Sequence, residues 1–247
     1  MEGSAEPCEI RTLTAHCPGC RVEIRASGTK LIAAGAGTVL LDLPGAWALS
    51  HQDAADCQPT LPVLGADGIL SLYALADQRL LQRHDLSEVL EHGEYMIATA
   101  SGSFLSCDGK RLFVPQVDGP GWQRVDLSPE ADAPPLSDAP PVIAVSPDGR
   151  FTLELGDASG ETATLRDYQA DRTLPIGLRF ELDAPFFDRS GQYLILRHAS
   201  EPPITVSLYR LGDFAALGTL DVTEALDWTD LAITAEGGKY RLQSAQD

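Results

Sequence analysis

The chain of 247 residues carries 36 acidic against 18 basic side chains, a formal net charge of −18, with 44% hydrophobic residues. No apolar run is long enough for a transmembrane helix. Phosphate backbones and anionic membranes both need Lys and Arg to neutralise them, so direct nucleic-acid and membrane partners are excluded, while a basic protein is attracted at long range.

The first residues, MEGSAEPCEIR, have neither a basic n-region nor an apolar h-region, which predicts a cytoplasmic protein without a signal peptide. Five cysteines, Cys8, Cys17, Cys20, Cys57 and Cys107, form an odd and irregularly spaced set, for which reduced thiols are expected. His16-Cys17-Pro18-Gly19-Cys20 supplies one CxxC and one histidine, with Cys8 as a further donor. That falls short of a usual zinc site, and no helix follows to make it a redox CxxC.

Alternation predicts strands over Glu9–Thr14, Arg21–Ala26, Lys30–Ala34 and Thr38–Leu43. Ala46–Ser50, Leu61–Leu64, Ile69–Leu75 and Arg79–Asp85 make a second set, with a loose turn at His51–Asp56. Ser87–Gly93 has an N-cap serine and a terminal glycine and reads as one helical turn. Glu94–Phe113, broken at Ser101-Gly102, opens a third set that Trp122–Leu127 continues. Ser128–Pro141, rich in Pro and Asp, reads as a solvated connection, since proline cannot donate to a central ladder.

The most informative stretch is Val142–Tyr168, VIAVSPDGRFTLELGDASGETATLRDY. A β-branched run leads into Ser146-Pro147-Asp148-Gly149, where proline presets φ and glycine accepts a positive one. Phe151–Leu155 then alternates apolar and polar, which predicts a strand with one buried face. A second turn leads to a third strand over Thr162–Tyr168, and Arg172–Leu182 supplies the outer one. Similar turns precede strands at Cys107-Asp108-Gly109, Arg189-Ser190-Gly191 and Glu236-Gly237-Gly238; the glycines at 109, 149, 191 and 238 are spaced by 40, 42 and 47 residues. Independently, Leu72–Leu90 aligns without gaps on Leu208–Leu226, with eight identities in nineteen positions. After Ala184–Leu196, Ile204–Leu211 and Ala216–Val222, the chain closes with only Trp228–Thr234 and Lys239–Gln243.

The SPDG-type turns at this period resemble those of WD40 and YVTN-type β-propeller repeats. The resemblance implies an all-β fold, one propeller domain over residues 1–247, with six four-stranded blades by this count and five or seven as the alternatives. N-terminal strands within Glu9–Ala26 would complete the last blade and close the ring.

Chemistry is sparse. Gly35-Ala36-Gly37 lacks the third glycine of a dinucleotide fingerprint, and no GxSxG, HExxH or P-loop occurs. The five histidines do not cluster in sequence with a serine or cysteine nucleophile. Six-bladed lactonases hold calcium in a central channel with Glu, Asp and Asn, and this chain has no asparagine. A hydrolase using a carboxylate-bound divalent cation there is the alternative; the leading expectation has no catalytic residue, metal or cofactor.

A small, acidic propeller without motifs, of a composition typical of GC-rich bacteria, resembles in type the immunity proteins of interbacterial (type VI-like) toxin systems. The resemblance implies a non-catalytic protein whose carboxylates fill the basic cleft of a cognate toxin, nuclease-type, and occlude its active site. Candidate contacts are Asp221, Glu224, Asp227 and Asp230 with Trp228, and in parallel Asp85, Glu88, Glu91 and Glu94 with Tyr95. An aromatic anchor inside a charged rim is the usual make-up of a binding hot spot.

Overall fold

Short apolar runs separated by Gly- and Asp-containing turns satisfy their backbone groups by strand pairing, most directly with their sequence neighbours. The computed structural model describes residues 11–13, 20–25, 27–33, 35–49, 60–87, 90, 102–116, 121–127, 140–156, 161–178, 183–188, 190–198, 204–221, 231–236 and 239–244. Among these, no helix is long and apolar enough to cross a membrane. The chain is all-β and divides into two compact units. One comprises Met1–Pro115 with Val125–Ser137, the other Gln116–Arg124 with Asp138–Asp247.

In the first unit, β1 (Arg11–Leu13), β2 (Cys20–Arg25), β3 (Gly28–Ala33) and β4 (Val39–Pro44) form one antiparallel sheet in sequence order. A second such sheet holds β5 (Ala46–Ala48), β6 (Thr60–Gly65), β7 (Ile69–Ala74) and β8 (Leu80–Asp85). The pair β9 (Phe104–Leu105) and β10 (Arg111–Pro115) follows. The chain passes between units along β11 (Trp122–Asp126). In the second unit, Trp122 pairs with Val142 of β12 (Val142–Val145), which leads to β13 (Phe151–Leu155), β14 (Thr162–Asp167) and β15 (Arg172–Gly177). Another four-stranded sheet contains β16 (Asp183–Phe187), β17 (Tyr193–His198), β18 (Thr205–Arg210) and β19 (Ala215–Asp221). A two-stranded sheet of β20 (Leu231–Glu236) and β21 (Lys239–Ser244) ends the series.

One expectation about the ring is corrected here. Among the described residues, the N-terminal strands start the first sheet, in the order β1-β2-β3-β4, and do not join β20 and β21. Gly28, at φ +132°, pairs with Arg25 across the β2–β3 turn, and the Leu43 carbonyl of β4 lies 2.2 Å from where its Cβ would stand.

Most sheets are buried on two faces. Within the first unit, Trp47, Leu64, Leu70 and Leu72 pack with Leu105 and Leu112 from one side of the β5–β8 sheet. Ala48, Leu61 and Val63 meet Val22, Leu31 and the partly buried Leu43 from the other. In the second unit, Phe151, Leu153, Ala163 and Leu165 pack against Leu194 and Leu196, while Ile195, Val206 and Leu208 fill the far face of β17 and β18. This overturns the half-buried reading of Phe151–Leu155: Thr152 and Glu154 are 0% and 1% exposed. The alternation is real, but polar partners cover the polar face.

The three described turns of the SPDG type share one hydrogen-bond pattern. Ser146 Oγ donates to Asp148 Oδ1 (2.6 Å) and accepts from the Phe151 N–H (2.8 Å), while Asp148 Oδ1 accepts from the Arg150 N–H (3.0 Å). Ser106 and Asp108 repeat this around Arg111 and Lys110. At the third turn Asp188 replaces the serine and accepts from the N–H groups of Gln192 and Tyr193. The glycine ending each turn, Gly109, Gly149 or Gly191, has φ between +66° and +69°, where a side chain would be strained. The corresponding turn at 237–238 lies outside the described residues.

The internal alignment holds at the level of single residues. Residues 69–85 and 205–221 are hairpins with a left-handed residue at Gln78 (φ 57°) or Phe214 (φ 59°). Register shifts lie between Leu72/Tyr73 and Leu208/Tyr209, with Leu81 or Leu217 as the extra residue. The hairpin of β3 and β4 has the same shift between Leu31/Ile32, with Leu40 extra.

The thiols differ from expectation. Cys20, which is buried, and Cys107 are each disulfide-bonded, where reduced cysteines were expected. Cys8, Cys17, Cys57 and the rest of the HCPGC motif lie outside the described residues. So do the turn at 51–56 and most of the connection at 128–141. Of the helical turn read at 87–93, the Leu90 N–H donates to the Leu86 carbonyl at 2.9 Å.

Candidate functional site

Of the ten residues proposed as partner contacts, two are described. Asp85 and Asp221 end β8 and β19, the outermost strands of their sheets, and both are exposed. Asp85 Oδ1 accepts the Ser87 N–H at 3.0 Å; Asp221 stands opposite Thr205. The two occupy equivalent positions of the repeated hairpin. Glu88, Glu91, Glu94, Tyr95, Glu224, Asp227, Trp228 and Asp230 lie outside the described residues.

The described cations are arranged unevenly. Three carboxylates each take two arginines. Glu23 binds Arg21 at 2.9 Å and Arg25 at 2.8 Å, and the Arg25 hydrogen bond in particular holds its carboxyl below the usual range. Glu154 sits in mid-strand between Arg124 Nη1 (3.1 Å) and Arg166 Nε (3.2 Å), and also accepts from Tyr168 Oη (2.8 Å) and Thr152 Oγ1 (3.1 Å). Arg124 Nη1 donates to Tyr168 Oη as well, with its guanidinium 5.3 Å from the ring centroid. Burial pushes the Tyr168 hydroxyl above its ordinary pKa. Asp167, fully buried, is held by Arg150 through two bonds (2.9 and 2.8 Å), by Arg172 (3.2 Å) and by the Gln169 and Ala170 N–H groups. Burial alone would raise its pKa, but these donors outweigh it and hold the carboxyl at about 2. With two guanidiniums bonded to each carboxylate, these clusters tie neighbouring segments together.

The structure brings one histidine to a serine, contrary to the sequence reading. His198 Nε2 lies 2.7 Å from Ser207 Oγ, which is 3.1 Å from Thr219 Oγ1. The signal was invisible in sequence because β17 and β18 pair His198 with Thr205, diagonal to Ser207. Nucleophilic catalysis also needs donors for an oxyanion. Ser207 sits inside a ladder paired on both sides, with Leu196 and Thr219, so its backbone is committed to the sheet. Among the described residues no three His, Cys, Asp or Glu side chains converge as a metal site would require.

The first unit also has an open groove of about 400 Å³, where β4 leaves the outer part of the β5–β8 sheet uncovered. Leu43 and Pro44 form one wall; Val63, Ile69, Ser71, Tyr73 and Arg83 form the sheet side. Ser71 is small, and beside Gly65 the Asp67 carboxylate, 2.3 Å from where a Cβ would stand, also lines the groove. None of these was a candidate in sequence, because strand pairing, not sequence proximity, assembles the groove.

No family model matches the chain, and no curated protein matches it. A solved structure, that of Kluyvelomyces marxianus Hsv2, is similar over 86% of this chain at 8% identity, with a TM-score of 0.47. The similarity spans 61% of that structure's chain.

Proposed function

We propose that the chain is a six-bladed β-propeller and a non-catalytic binding protein, an immunity protein that occludes the active site of a basic, nuclease-type cognate toxin. One observation carries the proposal. Glu23, Glu154 and Asp167 absorb six of the eighteen cations. Outside these clusters the chain carries thirty-three acidic side chains against twelve basic ones. A surface of that kind accelerates encounter with a basic cleft and loses the advantage as salt rises. The repeated four-stranded meanders and the recurring turn support the propeller part.

The cytoplasmic part of the proposal is separable. Disulfides such as those of Cys20 and Cys107 persist in oxidising compartments. A cytosolic encounter with a nuclease therefore requires a fold that tolerates their loss, whereas a toxin acting outside the cytosol requires none.

The test is binding of the product of the adjacent gene to the purified chain at low and high salt, with survival of cells carrying or lacking this gene. Protection by this gene, with affinity falling at least about tenfold between 50 and 500 mM salt, is expected on the screening argument. Unchanged survival on deletion, or salt-independent binding, would overturn the proposal.

A further inference from the structure

We propose that the groove between β4 and the β5–β8 sheet binds a small carboxylate with an apolar tail, and that Arg83 holds its carboxylate. Three equivalent cross-strand positions point to it. Lys30 stands opposite Asp42 in the first sheet and bonds it at 2.8 Å. Ser207 stands opposite Thr219 and bonds it at 3.1 Å. Ser71 stands opposite Arg83, and among the described residues neither side chain has a hydrogen bond or ion pair. The same hairpin frame is thus closed internally twice and left open once, at the position that borders the groove.

The open position is charged in an unusual sense. In a chain of net charge −18, Arg21, Arg25, Arg111, Arg150 and Arg210 each contact a carboxylate of their own unit. Arg83 reaches the groove instead, beside the hydroxyls of Ser71 and Tyr73. A guanidinium presents a planar fork that matches a carboxylate in two parallel bonds. Leu43, Pro44, Val63 and Ile69 offer only apolar surface alongside it. A groove of about 400 Å³ is sized for a small molecule and not for a helix or strand. An apolar body with one carboxylate matches Arg83 and the apolar walls, while Asp67, also in the lining, accepts the Ile69 N–H at 3.2 Å.

The proposal is independent of the toxin reading, since it uses a cation in a groove and not the acidic surface. The test follows the amide resonances of the full-length, isotope-labelled protein during titration with 4-phenylbutyrate, with 4-phenylbutanol and inorganic phosphate as controls. Phenylbutyrate is expected to give saturable shifts at Ser71, Tyr73 and Arg83. Phenylbutanol and phosphate are expected to bind at least about tenfold more weakly. Arg83→Thr, which installs the residue of the equivalent position, should weaken phenylbutyrate by the same factor. Arg83 is exposed, so the variant should keep its melting temperature, and Arg83→Lys should recover part of the affinity. Absence of saturable shifts up to about 10 mM, equal binding by Arg83→Thr, or equal binding of phosphate would each overturn the proposal. Salt-sensitive capture of a basic protein should be unaffected by Arg83→Thr, which separates this site from the acidic surface.

Discussion

Residues 69–85 of the first unit and 205–221 of the second follow one backbone path and secure it differently. Both enter the turn through a left-handed residue, at φ 57° for Gln78 and 59° for Phe214. In both, an aspartate, Asp77 or Asp213, accepts the N–H two residues on, from Arg79 or Ala215. Gln78 settles its turn locally, with Nε2 donating to the Leu75 carbonyl at 3.1 Å. Phe214 settles its turn by reaching out. Its ring lies 6.4 Å from that of Phe151 and beneath the Arg172 guanidinium (4.6 Å), and Arg172 in turn donates to the Gly212 carbonyl and to Asp167. A left-handed conformation costs a residue with a side chain about 1–2 kcal/mol. The first hairpin offsets that cost within itself. The second is held by the neighbouring sheet, so its turn is coupled to a buried ion cluster.

The contrast can be broken from several sides. Reduction of the disulfides should have the largest effect, because Cys20 and Cys107 both belong to the first unit. A loss of about 2–4 kcal/mol there is expected. Hydrogen exchange with and without reductant should show it at residues 69–85 and leave 205–221 protected. Asp167→Ala should come next. It strands Arg150 and Arg172 beside a buried site and should cost about 3 kcal/mol in chemical denaturation, with faster exchange at 205–221 but not at 69–85.

Acid should act through the same residue. A carboxyl held at about 2 in the folded chain, below its unfolded value near 3.9, stabilises the fold fully above pH of about 4 and loses that contribution as pH falls through about 2. Because Arg150 and Arg172 are partly open to solvent, screening reduces the effect to roughly 1–2 kcal/mol. Asp167→Asn should flatten this part of the pH profile, read by thermal melts from pH 5 to pH 2. Phe214→Gly should cost about 1–2 kcal/mol, since loss of a half-buried ring exceeds relief of the left-handed strain. Gln78→Gly should shift stability by less than about 0.5 kcal/mol. Equal effects of the two glycine substitutions would show that the turns are secured alike after all.

The frame of these hairpins was legible in the sequence because turn chemistry is local. Ser146-Pro147-Asp148-Gly149 contains its own hydrogen-bond partners, and the match of Asp77 with Asp213 marks a turn that needs its aspartate. Glu154 was not legible, since a glutamate in an alternating strand looks the same whether water or two arginines cover it. Arg124 is thirty residues distant from it in sequence. His198 with Ser207 and Arg83 with Ser71 were hidden for a related reason: cross-strand register decides who meets whom, and for Ser71 that register depends on a bulge at Leu81 that no residue type announces. The beginning of the chain was misassigned because pairing with the last sheet or with its own neighbour gives the same strand pattern.

The extra residue at Leu40, Leu81 and Leu217 has a consequence for assembly. Each lies in the last strand of its sheet, where unpaired N–H and C=O groups face outward as a template for another chain. A bulge offsets that row by one residue and increases its twist, so an incoming strand loses its match partway along. These rims are thereby protected from edge-to-edge polymerisation, although Leu40 and Leu81 are themselves 39% and 40% exposed. Attachment at those rims must proceed through side chains, without borrowing the backbone.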